Sequence, residues 1–250
     1  MIVLEYIIME EISIIYEDAH YIAVNKPAGL VVHPDGKRDE PALTDWVLKN
    51  YPQIKGVGEP IELSDGKTIQ RPGIVHRIDK ETSGVLLIAK DQQAHELLKY
   101  QFQERTVKKK YYAFVYGELK DKYGIINRPM GRSKSDFRKW SATRGARGEL
   151  REAETWYTVI KTTKLASYVL VEPKTGRTHQ IRVHFAAINH PIVHDGLYAA
   201  GKQALFGFTR NALHAFSITF RNFEGKEVTV EAPLPKDFIE AKSEFGVAEI

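Results

Sequence analysis

The sequence predicts an α+β fold carried by a mixed, largely antiparallel β-sheet. Three observations point that way. GVLLIAK, residues 84–90, holds five apolar residues in a row, as a strand buried on both faces does. Strand-like runs adjoin one another more often than helices separate them. No repeat and no Ser/Pro-rich linker divides the 250 residues. One domain is therefore expected over 12–235, between an extension at 1–11 and a tail at 236–250.

The elements follow in order. ISIIY reads as a first strand, and YIAVNKPAGLVVHP as two extended runs about a Pro27-Ala28-Gly29 turn. ALTDWVLKNYP is a short helix stopped by Pro52, and residues 53–70, Gly-rich and polar, are a loop. After the buried strand, Asp91 has the place of an N-cap for a helix with Ala94, Leu97, Leu98 and Phe102 on one stripe. VKKKYYAFVYGEL, EAETWYTVIK and YVLVEP are further strands. Residues 178–188 form a helix with Ile181, Phe185 and Ile188 on one face, ended by His190-Pro191. ITFRNFEGKEVTVEA closes the chain as a hairpin.

Composition removes several function classes. With no cysteine there is no disulfide, thiolate metal site or cysteine nucleophile, which fits a cytoplasmic protein. The opening MIVLEYIIMEE is apolar but broken by Glu5, Glu10 and Glu11, and it lacks a basic flank. It reads as an edge strand or packed tail, neither signal peptide nor membrane span. The net charge of +4 is unevenly spread. Residues 128–151 carry six Arg and two Lys against Asp136 and Glu149, a net 8 − 2 = +6, leaving −2 for the rest. Phe137 and Trp140 lie within that segment, and Lys108, Lys109 and Lys110 precede Tyr111-Tyr112. Aromatics interleaved with cations are a footprint for a polyanion, although a charge run is also what a solvated loop looks like.

Some chemical-looking strings carry nothing. GLYAAGKQ, residues 196–203, approaches a phosphate loop but has Gln203 where a hydroxyl would hold magnesium. His179 and His184 are badly matched in angle for zinc, and His190 and His194 flank a proline without an acidic partner at ligand spacing. These imidazoles suit hydrogen bonds to backbone or RNA. No metal is expected, and no G-x-S-x-G elbow marks a serine hydrolase.

Three clusters remain: HRIDKETSG at 76–84, KKYYAFVYG at 109–117 and KTGRTHQIRVHFAAINHPIVHD at 174–195. They supply a carboxylate set among cations, a tyrosine, and two arginines, Arg177 and Arg182, near a helix N-terminus. An ion pair on the surface is the plain reading of Asp79, and a core tyrosine that of Tyr111.

In their order and extent, these clusters and YEDAHYIAVNKPAGLVVHP resemble the signature motifs of the RluA family of RNA pseudouridine synthases, from about residue 12 to 235. The sibling RsuA type starts its catalytic stretch GRLD and lacks the T-H-Q-[IL]-R-V-H string. The resemblance implies a single catalytic domain with helices and loops around a central cleft. It implies an isomerase acting on uridine in structured tRNA or rRNA, with the target base flipped out. Asp79 becomes the catalytic carboxylate, Arg182 its ion-pair partner, and Tyr111 the ring on which the base stacks. Arg77 and Lys80 suit the partner role less, because neighbours in an extended segment point to different sides. They join Lys108, Lys109, Lys110, Arg132, Arg138, Lys139, Arg177 and His179 as expected RNA contacts. Isomerisation transfers no electrons, so no cofactor is implied, and the chain is expected to work as a monomer with no obligate protein partner. The rival is a catalytically silent RNA-binding or RNA-remodelling protein on the same fold. Ile78 stands where leucine is commoner, and Asn189 and His194 stand where many members have glycine. Thr82, Ser83 and Gly84 would shape the turn that presents Asp79.

Overall fold

The structure, a computed structural model, describes residues 12–34, 36, 40–62, 66, 68–143 and 145–247. The extension expected at 1–11 lies outside them. The fold is α+β with mostly antiparallel strand pairs, and the described residues group into two compact units. One holds the residues up to 108 together with 215–233; the other holds 109–214 and those from 234 onward.

In the first unit the strands are β1 (Ser13–Glu17), β2 (Tyr21–Lys26), β5 (Ser83–Ala89), β13 (Leu213–Arg221) and β14 (Glu227–Glu231), ordered β1-β2-β5-β13 with β14 beside β13. Every residue of β5 is buried, as its unbroken apolar run requires. Tyr21 and Phe220 meet edge to face at 5.3 Å within this core. Residues 30–34, read as extended, give no strand; Val31 makes one parallel bridge to Ala42 ahead of α1 (Leu43–Asn50). Pro52 ends that helix and opens a 3-10 turn over Pro52–Ile54. The expected loop at 53–70 contains two short paired strands, β3 (Ile61–Glu62) and β4 (Thr68–Ile69). Helix α2 (Gln92–Gln103) is capped as expected, Asp91 Oδ1 accepting from the Ala94 N–H at 2.8 Å. Ala94, His95 and Leu98 are its buried stripe, whereas Leu97 faces solvent at 43% exposure.

The second unit orders β6 (Lys108–Tyr116), β12 (Ala166–Pro173), β11 (Glu154–Thr162) and β7 (Tyr123–Asn127) as β6-β12-β11-β7. Beside them is a three-stranded sheet of β8 (Met130–Ser133), β9 (Trp140–Ser141) and β10 (Ala146–Arg151). Helix α3 (Gln180–Ala187) starts two residues later than expected, because His179 takes a left-handed conformation with φ 57°. The segment set apart as a C-terminal tail forms α4 (Lys236–Glu244), whose Phe238 and Ala241, with Phe245 just beyond, enter the core around Phe114, Tyr168 and Phe185. Asn189 and His194, singled out above, both take positive φ, 65° and 53°.

Candidate active site

Asp79 sits half-buried on the turn that feeds β5. Its carbonyl accepts from the Thr82 N–H at 3.0 Å. The next carbonyl, that of Lys80, is held by two donors, the Gly29 N–H at 2.8 Å and the Lys26 ammonium at 3.1 Å. Lys26 is fully buried, and its Nζ also donates to the carbonyls of Pro27 and Leu30 at 2.7 and 2.8 Å. The NKPAG turn is thus bonded to the backbone beside Asp79. On the other flank Gly84 has φ 116°, and a Cβ there would meet the Ala215 carbonyl oxygen at 2.1 Å. Only glycine fits that approach. Thr82 Oγ1 is buried without a hydrogen-bond partner among the described residues.

The cations around Asp79 are already engaged. Lys80 pairs with Glu40 at 2.5 Å. Arg77 is exposed, with Nη1 3.3 Å from His33 Nε2, while His33 Nδ1 faces the Pro34 carbonyl at 3.0 Å. That geometry suits a neutral imidazole, and burial, aided by nearby arginines, pushes the His33 pKa down. His76 accepts from the Leu87 N–H and stacks on Phe102, which fixes the start of the motif.

In the second unit, one side chain organises the TGRTHQ string. Gln180 Oε1 accepts from Thr175 Oγ1 and the Arg177 N–H at 2.6 and 3.0 Å, and its Nε2 donates to the Glu154 carbonyl and Thr155 Oγ1. Arg182, in the first turn of α3, is buried and bidentate on Asp195: Nε to Oδ2 at 2.6 Å, Nη2 to Oδ1 at 2.8 Å. Its guanidinium lies 5.1 Å from the Tyr198 ring. Burial alone would raise the Asp195 pKa. The Arg182 donors and charge, with the Tyr198 and Leu197 N–H groups, outweigh it and hold the carboxyl below the usual range.

Tyr111 is half-buried on β6 opposite Val171, on the same face as Lys109, and packs against the core cluster. Lys109 turns inward, its Nζ 3.3 Å from the Thr175 carbonyl. Burial, and then the neighbouring Lys174, lowers its pKa to about 8. Lys108 pairs with Glu227 and Arg138 with Asp136, and Arg177 Nε donates to the Glu152 carbonyl. His179 Nδ1 meets the Tyr198 hydroxyl at 3.0 Å. Lys110 and Arg132 are exposed and Lys139 is half-buried. His184, buried, bonds the Arg128 carbonyl and Thr155 hydroxyl, and His190 the Tyr116 carbonyl, so these imidazoles serve the backbone.

Asp79 thus belongs to one unit, Arg182 and Tyr111 to the other. Sequence reasoning missed Lys26, Asp195 and Tyr198. Asp195 ends the quoted HPIVHD string, and its only signal there was a lone acid following a helix rich in basic groups.

The family model described as RNA pseudouridylate synthase matches residues 20–187. An uncharacterised RNA pseudouridine synthase of Synechocystis sp. is 36% identical over 91% of this chain and 67% of its own length. The chain belongs to the RluA-type RNA pseudouridine synthases. Membership makes it one of a family of isomerases. Ribosomal large subunit pseudouridine synthase D of Zymomonas mobilis is also 36% identical, over 90% of this chain and 70% of that protein. Among solved structures, human RNA pseudouridylate synthase domain containing 1 superposes with a TM-score of 0.72 at 26% identity, covering 91% of this chain and 85% of the human one. Among the described residues of this synthase, no helix is long and apolar enough to cross a membrane.

Proposed function

We propose that this chain isomerises specific uridines in structured tRNA or rRNA to pseudouridine, in the cytoplasm, as a monomer without cofactor or metal. The name of the Zymomonas relative favours large-subunit rRNA among these targets. In the reaction the N1–C1′ bond breaks, the base turns, and a C5–C1′ bond forms. The C5 proton leaves and N1 takes one up, so no electrons are gained or lost.

Asp79 is the catalytic carboxylate, and its presentation carries the proposal. A half-buried acid stands on a turn whose neighbouring carbonyl is fixed from two sides by Gly29 and Lys26. That is the preorganisation a reacting group needs, and a surface ion pair has no use for it. Arg182 steadies the Asp79 carboxylate. Tyr111 lies beneath the everted base, where stacking is worth about 1–3 kcal/mol. Lys110 and the 128–151 segment grip phosphates.

Release of tritium from C5-labelled uridine in bulk RNA tests the reading. Wild type is expected to release it, and Asp79→Ala to release none while still binding RNA. Wild-type release by Asp79→Ala would remove Asp79 from the reaction. Binding without release by the wild type would leave the silent RNA-binding protein.

A further inference from the structure

The connection between β8 and β9 is a turn fixed by its own side chains. Ser133 Oγ accepts from the N–H groups of Ser135 and Asp136 at 3.2 and 3.4 Å. The Asp136 carboxylate accepts from the Arg138 N–H, Nε and Nη2 at 3.0, 3.0 and 2.8 Å. The Lys139 N–H returns to the Asp136 carbonyl, and the Ser133 N–H to that of Lys139, both at 3.0 Å. Phe137 stands out of this turn at 78% exposure, the highest among the exposed large hydrophobic side chains described. Arg132 Nη1 reaches the Phe137 carbonyl at 3.5 Å, and its guanidinium covers Trp140 at 4.3 Å.

A single exposed aromatic on a surface is ordinary. This one is held outward by a hydrogen-bonded backbone, and Arg132, Lys134, Arg138 and Lys139 flank it in the sequence. Cations draw phosphates, and a bare ring face suits a nucleobase whose own face is open. In a continuous helix each base is covered above and below by its neighbours, which leaves the ring nothing to stack on.

We propose that Phe137 stacks on an unpaired base of the RNA substrate, so that the enzyme takes stem-loop or bulged RNA in preference to continuous duplex. This rests on the RNA function proposed above and narrows its substrate class.

The test compares binding of wild type, Phe137→Ala and Phe137→Trp to a stem-loop RNA carrying 2-aminopurine in its loop, and to a fully paired duplex of equal length. Phe137→Ala is expected to weaken stem-loop binding about five- to a hundredfold, leaving duplex affinity and the slope of affinity with salt as in wild type. Phe137→Trp should restore stem-loop affinity and change the 2-aminopurine emission on binding. Undiminished stem-loop binding by Phe137→Ala overturns the proposal, as does an equal loss on both RNAs. Tritium release by the wild type is scored separately. Its absence would remove the isomerase reading while the comparison of the two RNAs still decides the role of Phe137.

Discussion

The Lys109 amine lies inside the second unit with its proton on the Thr175 carbonyl and Lys174 nearby. Its pKa of about 8 sits below the ordinary lysine value near 10.4, because burial disfavours the cation. Between those values the unfolded chain binds more protons than the folded one, so stability rises with pH across the window. Urea unfolding of wild type and Lys109→Met at several pH values should show wild type gaining on the variant from about pH 8 to about 10.5. A constant difference would mean that the amine titrates normally. Lys109, expected on RNA, here bonds the Thr175 carbonyl in the turn before α3. The sequence could show a lysine two residues from Tyr111 but not which way it turned. The same holds for Arg182. Its motif and its helix were legible, whereas Asp195, thirteen residues along, becomes its bidentate partner only when a loop brings it back. Pairing is set by tertiary distance, and residue types in a row do not encode it.

At the scale of elements, apolar patterning revealed β5, an unbroken apolar run, and α3, whose apolar residues recur at helical spacing. It failed where the pattern is carried by charge. Residues 128–151 alternate too few apolar positions to read as strands, yet β8, β9 and β10 pair there over a small cluster of Met130, Ala142, Ala153 and Val183. It failed again at α4, where a short stretch, KDFIEAKSE, shows little apolar stripe by itself. Tertiary context supplies what propensity lacks. Phe238 is fully buried, 5.8 Å from the Phe114 ring and 5.2 Å from that of Phe208, and Arg210 is bidentate on Asp237 beside it. Phe238→Ala should therefore cost about 3–5 kcal/mol in urea unfolding, the usual loss for emptying a packed aromatic site. A loss below about 1 kcal/mol would show that α4 is only loosely attached.

Across the whole molecule, charge is divided more sharply than the net +4 implies, with +6 in residues 128–151 against −2 elsewhere. Such a distribution neither builds a fold nor stabilises one, since like charges in one segment repel. It suits a polyanion, whose binding is dominated energetically by counterions released from the phosphates. Each cation that contacts a phosphate steepens the fall of log affinity with log salt by roughly 0.7–0.9. Lys134, Arg147 and Arg151 are exposed within the segment, while Arg138 is tied to Asp136 and contributes less free charge. Replacing those three by glutamine should flatten the slope for RNA binding by about two to three units, measured as dissociation constants across a salt series. Replacing Lys226 and Lys236, which face Glu224 and Glu240, should change it little. If the second pair flattens the slope as much as the first set, the polyanion does not lie on the basic segment. The contacts would then have to be sought on surfaces where acids and bases alternate, which the charge map disfavours.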